Sequence, residues 1–192
     1  MLVVTISGSF HRHLGAIYDA VSEFLEAGVK VLSPADPRVV DHLGEFLLLA
    51  SDRFRSIRLV QDRHLQCIRA SSLLWLVDPD GYVGQSASLE VGYAIAAGTP
   101  VYSTNLPTDA TLQEYVRVVA DVSEAISLAK TTKSQAKSRS VLVDPKEAIE
   151  RCQDAIANVG RTMDQSWQHR STLVESELES TKRLLFRTFC GR

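Results

Sequence analysis

Cysteine is scarce in this chain of 192 residues: three, at Cys67, Cys152 and Cys190. An odd number at wide spacing makes no disulfide framework, so the three read as free thiols of a reducing cytoplasm. No apolar run approaches the ~18 residues that a membrane helix needs, and no membrane partner is expected. Met1-Leu2-Val3-Val4-Thr5-Ile6 carries neither a basic stretch nor a long apolar one, so no secretory leader is expected. The sequence lacks G-x-G-x-x-G and G-x-x-x-x-G-K-[S/T], the loops that seat dinucleotides and nucleoside triphosphates. It also lacks G-x-S-x-G, which marks a hydrolase serine. His11 and His13 have no further ligands at metal spacing. Neither a metal nor another cofactor is expected.

Charge of one sign is also missing, since the net is -2. That near-neutrality is a cancellation. Residues 1–129 hold nine Lys and Arg against fifteen Asp and Glu, and residues 130–192 hold twelve against eight. An acidic body is a poor platform for nucleic acid, whose binding is mainly cationic. The basic remainder mixes its signs as a solvated helical surface does. Lys130 to Ser140 has one apolar residue in eleven, which reads as a surface linker. Three parts are therefore expected: an α/β domain over 1–129, a polar linker over 130–143 and a helical extension over 144–192. In the extension, Asp144-Pro145-Lys146-Glu147 is a well-formed helix start. A narrow stripe from Trp167 to Phe189 suits packing against one partner surface, in this chain or in another subunit.

The acidic body alternates two kinds of segment. Leu2 to Ile6, Val29 to Leu32, Phe46 to Leu49, Leu73 to Val77 and Pro100 to Ser103 are short apolar runs, read as buried strands. Between them, Leu14, Ile17, Tyr18, Val21, Phe24 and Leu25 recur at helical spacing, and Ser56–Ser71 and Ser86–Ala97 also read as helices. Strands alternating with helices imply a parallel five-stranded sheet with helices on both faces. Ligands of such sheets bind beyond the carboxyl ends of the strands. Two Gly/Ser loops leave such ends, Ser7-Gly8-Ser9 and Gly81 to Ser88.

The second loop opens a helix, whose first turn offers unpaired N–H groups and the positive end of the helix dipole. With Ser86 and Ser88 it is a phosphate seat, or else Ser86 simply caps the helix. Glu90 lies a turn further in, among Ala87, Leu89, Val91 and Gly92. It either complements the dipole or is a partly buried carboxylate near a ligand. Asp62 is a second candidate carboxylate, with a salt bridge to Arg58 or Arg63 as the plain alternative. Asp78 and Asp80 flank Pro79 and are turn formers or ligand contacts. Two carboxylates facing a small polar ligand suit glycosidic-bond cleavage, one attacking the anomeric carbon and the other handling the proton.

Ser7-Gly8-Ser9, Asp62-Arg63-His64-Leu65 and above all the run from Asp78 to Ala94, with its Glu90-Val91-Gly92-Tyr93 block, resemble the nucleoside 2-deoxyribosyltransferase superfamily. That group includes nucleotide N-glycosidases such as the 2′-deoxynucleoside 5′-phosphate N-hydrolases. The resemblance covers about residues 1–105. It implies a flavodoxin-like (Rossmann-like) fold and a retaining mechanism with Glu90 as the nucleophile. Asp62, by its place in the helix, corresponds to the carboxylate that assists the leaving base. Ser7, Gly8 and Ser9 line the sugar or base pocket, and Ser86 and Ser88 contact phosphate. Asp78, Gly84 and Tyr93 complete the expected binding set. Family members commonly form dimers with composite sites, so a homodimer or higher homo-oligomer is expected. The expected activity is hydrolysis of the N-glycosidic bond of a nucleoside 5′-monophosphate or related nucleotide. Transfer of the sugar to a second base is one alternative, and a nucleotide-sensing module without catalysis is another.

Overall fold

The computed structural model describes residues 1–135 and Gln153. Apart from Gln153, the expected extension over 144–192 lies outside them, as do most of the expected linker, Cys152 and Cys190.

The chain opens with β1 (Val3–Gly8), whose Val4 and Ile6 are fully buried. Helix α1 (Leu14–Glu26) follows and buries Ile17, Ala20, Val21 and Phe24, one stripe at helical spacing. Gly28 turns the chain out of α1 with a φ of 72°, in the region where a side chain is strained. Then come β2 (Lys30–Ser33), β3 (Val39–Leu43), β4 (Phe46–Leu49), α2 (Ile57–Ala70) and β5 (Leu73–Val77). The chain continues through α3 (Gln85–Ala97), β6 (Val101–Ser103), α4 (Ala110–Gln113), β7 (Val116–Val118) and α5 (Val122–Gln135). Helix α5 thus runs over residues 130–135, the first part of the segment read as linker. Among the described residues no helix is long and apolar enough to cross a membrane.

Five strands form one parallel sheet in the order β2-β1-β5-β6-β7. This is the flavodoxin-like order. Every residue of β5 is buried, because helices cover both faces. Leu73, Trp75 and Val77 enter a core with α1 and α5, where Trp75 meets Phe24 edge-on at 5.4 Å. Leu74 and Leu76 point the other way, into a core with Ile68 of α2 and Val91 and Ala94 of α3. Each cluster stacks apolar side chains on one face of the same strand, as the pleat requires.

Two expectations for the sheet need correction. Phe46 to Leu49 is not a strand of the main sheet. It pairs antiparallel with β3 in a separate hairpin around Gly44, whose φ is 61°. The fifth parallel strand is β7, a three-residue edge with Arg117 at its centre. Helix α3 buries one side only. Ala87, Val91, Ala94 and Ile95 face the core, whereas Gly92, Ala96 and Ala97 are exposed.

The chain leaves β1 outward to β2 and returns on the other side of β1 as β5. A crevice opens where the strand order reverses in this way, and it opens at the carboxyl ends of the strands.

Candidate active site

A cavity of about 740 Å³ lies at that end of the sheet. Phe10, Leu43, Phe46, Leu47, Leu49 and Ile57 give it an apolar wall, much of it from the β3–β4 hairpin. The loop after β1 reaches the hairpin turn through a contact of His11 Nε2 with the Glu45 carbonyl. Gly84, Gln85 and Ser86 bring the first turn of α3 to the cavity. Gly84 is the N-cap and no side chain caps that helix, so its leading N–H groups are free to meet a ligand.

Glu90 forms the polar floor. It is 8% exposed, yet it lines the cavity. Its surroundings are donors. Ser7, near the end of β1, donates its hydroxyl to Oε2. Gln61 of α2 donates its amide to Oε1 at 3.0 Å. His64, one turn on, places Nε2 3.3 Å from Oε2. Burial pushes the Glu90 carboxyl up, but the charge and contact of His64 and the donations from Ser7 and Gln61 outweigh it. The carboxyl is held below the ordinary glutamate range, so it is ionised and oriented at neutral pH.

Of the expected site residues, Ser7, Ser9, Gly84, Ser86 and Glu90 stand at or against this cavity. The others stand elsewhere. Gly8 is a packing residue: a Cβ there would meet the Val77 carbonyl at 2.8 Å. Ser88 turns its hydroxyl back to the Gly84 carbonyl at 3.1 Å, inside its own helix. Tyr93 packs against the core between α3 and the sheet. Ser86 does not cap α3, so the plain alternative for it is set aside.

Asp62 is not brought to Glu90. Its side chain is 42% exposed and accepts a bond from Arg58 Nε at 2.8 Å, one turn earlier on α2. The geometry is that of a surface ion pair, the alternative left open for it. The reason is helical phase. Val60, His64 and Ile68 share one stripe at spacings of four, and Val60 and Ile68 are the buried residues of α2. Residue 62 points away from that stripe.

Asp78 also lies off the cavity. It follows the last residue of β5, is 1% exposed and accepts the Ser103 hydroxyl on Oδ1, with Oδ2 unpaired. Burial raises its carboxyl to about 6, against the lowering pull of Ser103 and His13. Beside it, Asp80 pairs with Arg12 at 2.8 Å and lies 3.0 Å from His13 Nε2, and Arg12 stacks over Tyr82.

Three polar residues of the site were not singled out from the sequence: Gln61, His64 and Ser33, the last bonded to His64 Nδ1 at 2.7 Å. A signal for His64 was present. It stands four residues from both Val60 and Ile68, so it belongs to the inward face of its helix. Nothing comparable marks Ser33, which ends β2 next to Pro34. Among the described residues no group of three or more His, Cys, Asp or Glu is placed to hold a metal ion.

No protein-family model matches the chain, and no curated protein matches it. Among solved structures it is similar to a 2-deoxyribosyltransferase from the psychrotolerant bacterium Bacillus psychrosaccharolyticus, with 16% identity and a TM-score of 0.47 over 64% of this chain and 89% of that one. It is also similar to the Clostridium botulinum CMP N-glycosidase BcmB, with 13% identity and a TM-score of 0.42 over 67% of this chain and 98% of that one.

Proposed function

We propose that this chain is an N-glycosidase of the nucleoside 2-deoxyribosyltransferase kind, acting on a nucleoside 5′-monophosphate or related nucleotide. One observation carries the reading: a buried, ionised carboxylate, Glu90, faces a cavity of about 740 Å³ at the switch point of a parallel sheet. Carboxylates are seldom buried unless they are paired or have work to do. A cavity of this volume is within the range of small-molecule sites. The apolar hairpin wall suits a flat base, and the donor-lined floor suits the sugar. The uncapped first turn of α3, over Gly84, Gln85 and Ser86, suits an anionic 5′-phosphate.

In this reading Glu90 attacks C1′ of the sugar. The C1′–N bond breaks and a glycosyl ester forms on the carboxylate. Water then releases the sugar. Ser7 and Gln61, each bonded to one oxygen of Glu90, hold the carboxylate in place for the attack.

The test is a panel of ribo- and deoxyribonucleotides and nucleosides incubated with the protein, with base release followed chromatographically. A free second base is included in one arm to reveal transfer. Base release from at least one nucleotide is expected, and Glu90→Gln, checked for folding by circular dichroism, is expected to abolish it. Release at the wild-type rate by Glu90→Gln would remove Glu90 as the nucleophile. No release from any member would remove the activity.

A further inference from the structure

A departing base leaves with an electron pair and needs a proton, and the carboxylate expected to assist it, Asp62, is turned to Arg58 on the outside of α2. We infer that His64, steadied by Ser33, is the group that protonates the leaving base and then takes a proton from the attacking water. This role rests on the glycosidic reading above.

His64 is 12% exposed, lines the cavity and presents Nε2 beside Glu90. Its other nitrogen, Nδ1, is 2.7 Å from Ser33 Oγ. In the proposed role Ser33 accepts from Nδ1–H in both charge states of the ring, as a hydroxyl is able to do. The proton that moves is then always the one on Nε2, the nitrogen on the cavity side. The charged groups around the ring are few. Glu90 faces it from α3, and Arg63 on α2 turns instead to Asp52 at 3.5 Å. His11, Glu45, Asp52 and Tyr82 complete the titratable lining.

Proximity of the two groups couples the steps. In the proposed cycle His64 starts with a proton on each nitrogen, its Nε2 3.3 Å from the Glu90 carboxylate. When a Glu90 oxygen bonds to C1′, the carboxylate loses its charge and His64 loses its counter-charge. At that moment the C1′–N pair passes to the base, and the Nε2 proton follows it. In the second step the water oxygen bonds to C1′ and the ester bond returns its pair to Glu90. The water proton goes to Nε2. The sum is nucleotide plus water giving free base plus sugar phosphate, with both side chains restored.

The experiment compares the wild type with His64→Gln and Ser33→Ala on two substrates. One is the nucleotide that the wild type cleaves fastest. The other is the glycosyl fluoride of the same sugar phosphate, whose leaving group departs without a proton. General-acid assistance contributes ~10²–10⁴-fold. In the first turnover His64→Gln is expected to slow base release from the nucleotide by that factor while fluoride release stays near the wild-type rate, because fluoride leaves before the step in which His64 takes the water proton. The pH–rate profile gives a second readout: the alkaline limb of the wild type is expected to vanish in His64→Gln. Ser33→Ala should fall between the two proteins. An equal loss on both substrates with an unchanged pH profile would make His64 a structural residue and overturn the inference. So would an unchanged nucleotide rate. If the wild type cleaves no nucleotide, the glycosidic reading itself falls and this role falls with it, an outcome distinct from either result on His64→Gln.

Discussion

Glu90 and Asp78 stand at the same edge of the sheet, one bonded to Ser7 near the end of β1 and the other just after β5. Both are buried, at 8% and 1% exposure. Burial pushes both carboxyls up, yet Glu90 is held low while Asp78 rises to about 6. The difference lies in the donors. Glu90 has Ser7, Gln61 and His64 across its two oxygens. Asp78 has Ser103 on one oxygen and none on the other. Depth therefore does not make a reactive carboxylate. What matters is whether the fold supplies partners for the charged form, and whether the group opens to a cavity.

The largest effect expected is on catalysis. Glu90→Gln should cut base release by roughly 10³-fold or more, the scale for removing one member of a catalytic unit. Asp78→Asn should leave more activity than that by a wide margin, since Asp78 does not line the cavity. Initial rates of the two variants side by side check the comparison. A deeper loss in Asp78→Asn than in Glu90→Gln would reverse the roles given to the two groups.

The next effect is on stability, and the two carboxylates should slope opposite ways with pH. Asp78 binds its proton in the folded chain up to about pH 6, well above its ordinary value. Between those pH values the folded state keeps a proton that the unfolded state has lost. Its stability contribution is complete below the ordinary value and is lost as pH rises through 6. Asp78→Asn should therefore raise Tm at pH 7.5 by an amount worth ~1–3 kcal/mol and change little at pH 4. Glu90 is lowered, so its contribution is present above the ordinary glutamate value and is lost as pH falls through the folded one. Glu90→Gln should lower Tm at neutral pH, and the gap should close in acid. Melting curves across the range check both signs.

Gly8 sits between the two groups, on β1 against β5. An added Cβ would meet the Val77 carbonyl at 2.8 Å and the Val77 Cβ at 3.1 Å. Neither atom is the end of a flexible chain, so the strands must part. Gly8→Ala is expected to cost ~1–3 kcal/mol by overpacking. Denaturant unfolding measures it. A loss of activity without a loss of stability would return Gly8 to the sugar pocket, where the sequence resemblance had it.

Particular residues explain what the sequence disclosed and what it hid. The strands β1 and β5 were legible because a strand covered on both faces needs an unbroken apolar run, which Leu73 to Val77 supplies. The β3–β4 hairpin was not, because Phe46 to Leu49 is as apolar as a core strand and Val39 to Leu43 carries Asp41 and His42 in its middle. Strand β7 was hidden by its length of three residues and by Arg117. At the site, the burial of Glu90 was legible from the small and apolar residues around it, whereas its role as nucleophile came only from the resemblance. Ser33 and Gln61 were not, since a hydroxyl or an amide gains meaning only from the group it meets in space.

The smallest effect belongs to Asp62, the residue for which sequence and structure diverge most. Sequence position puts it in the helix that faces Glu90, and helical phase then turns it outward to Arg58. An exposed pair at this spacing is worth ~0.3–0.5 kcal/mol, so Asp62→Asn should shift the unfolding free energy by no more than that. Its rate of base release should stay within ~2-fold of wild type, since a surface ion pair of this size has no leverage on the barrier. The same assay run on His64→Gln supplies the contrast, because Asp62 and His64 are two residues apart on one helix. A large loss in Asp62→Asn with none in His64→Gln would mean that α2 turns on substrate binding and brings the carboxylate to the cavity. The reverse result would leave the proton with the imidazole and make helical phase, rather than residue type, the feature that selects the acid.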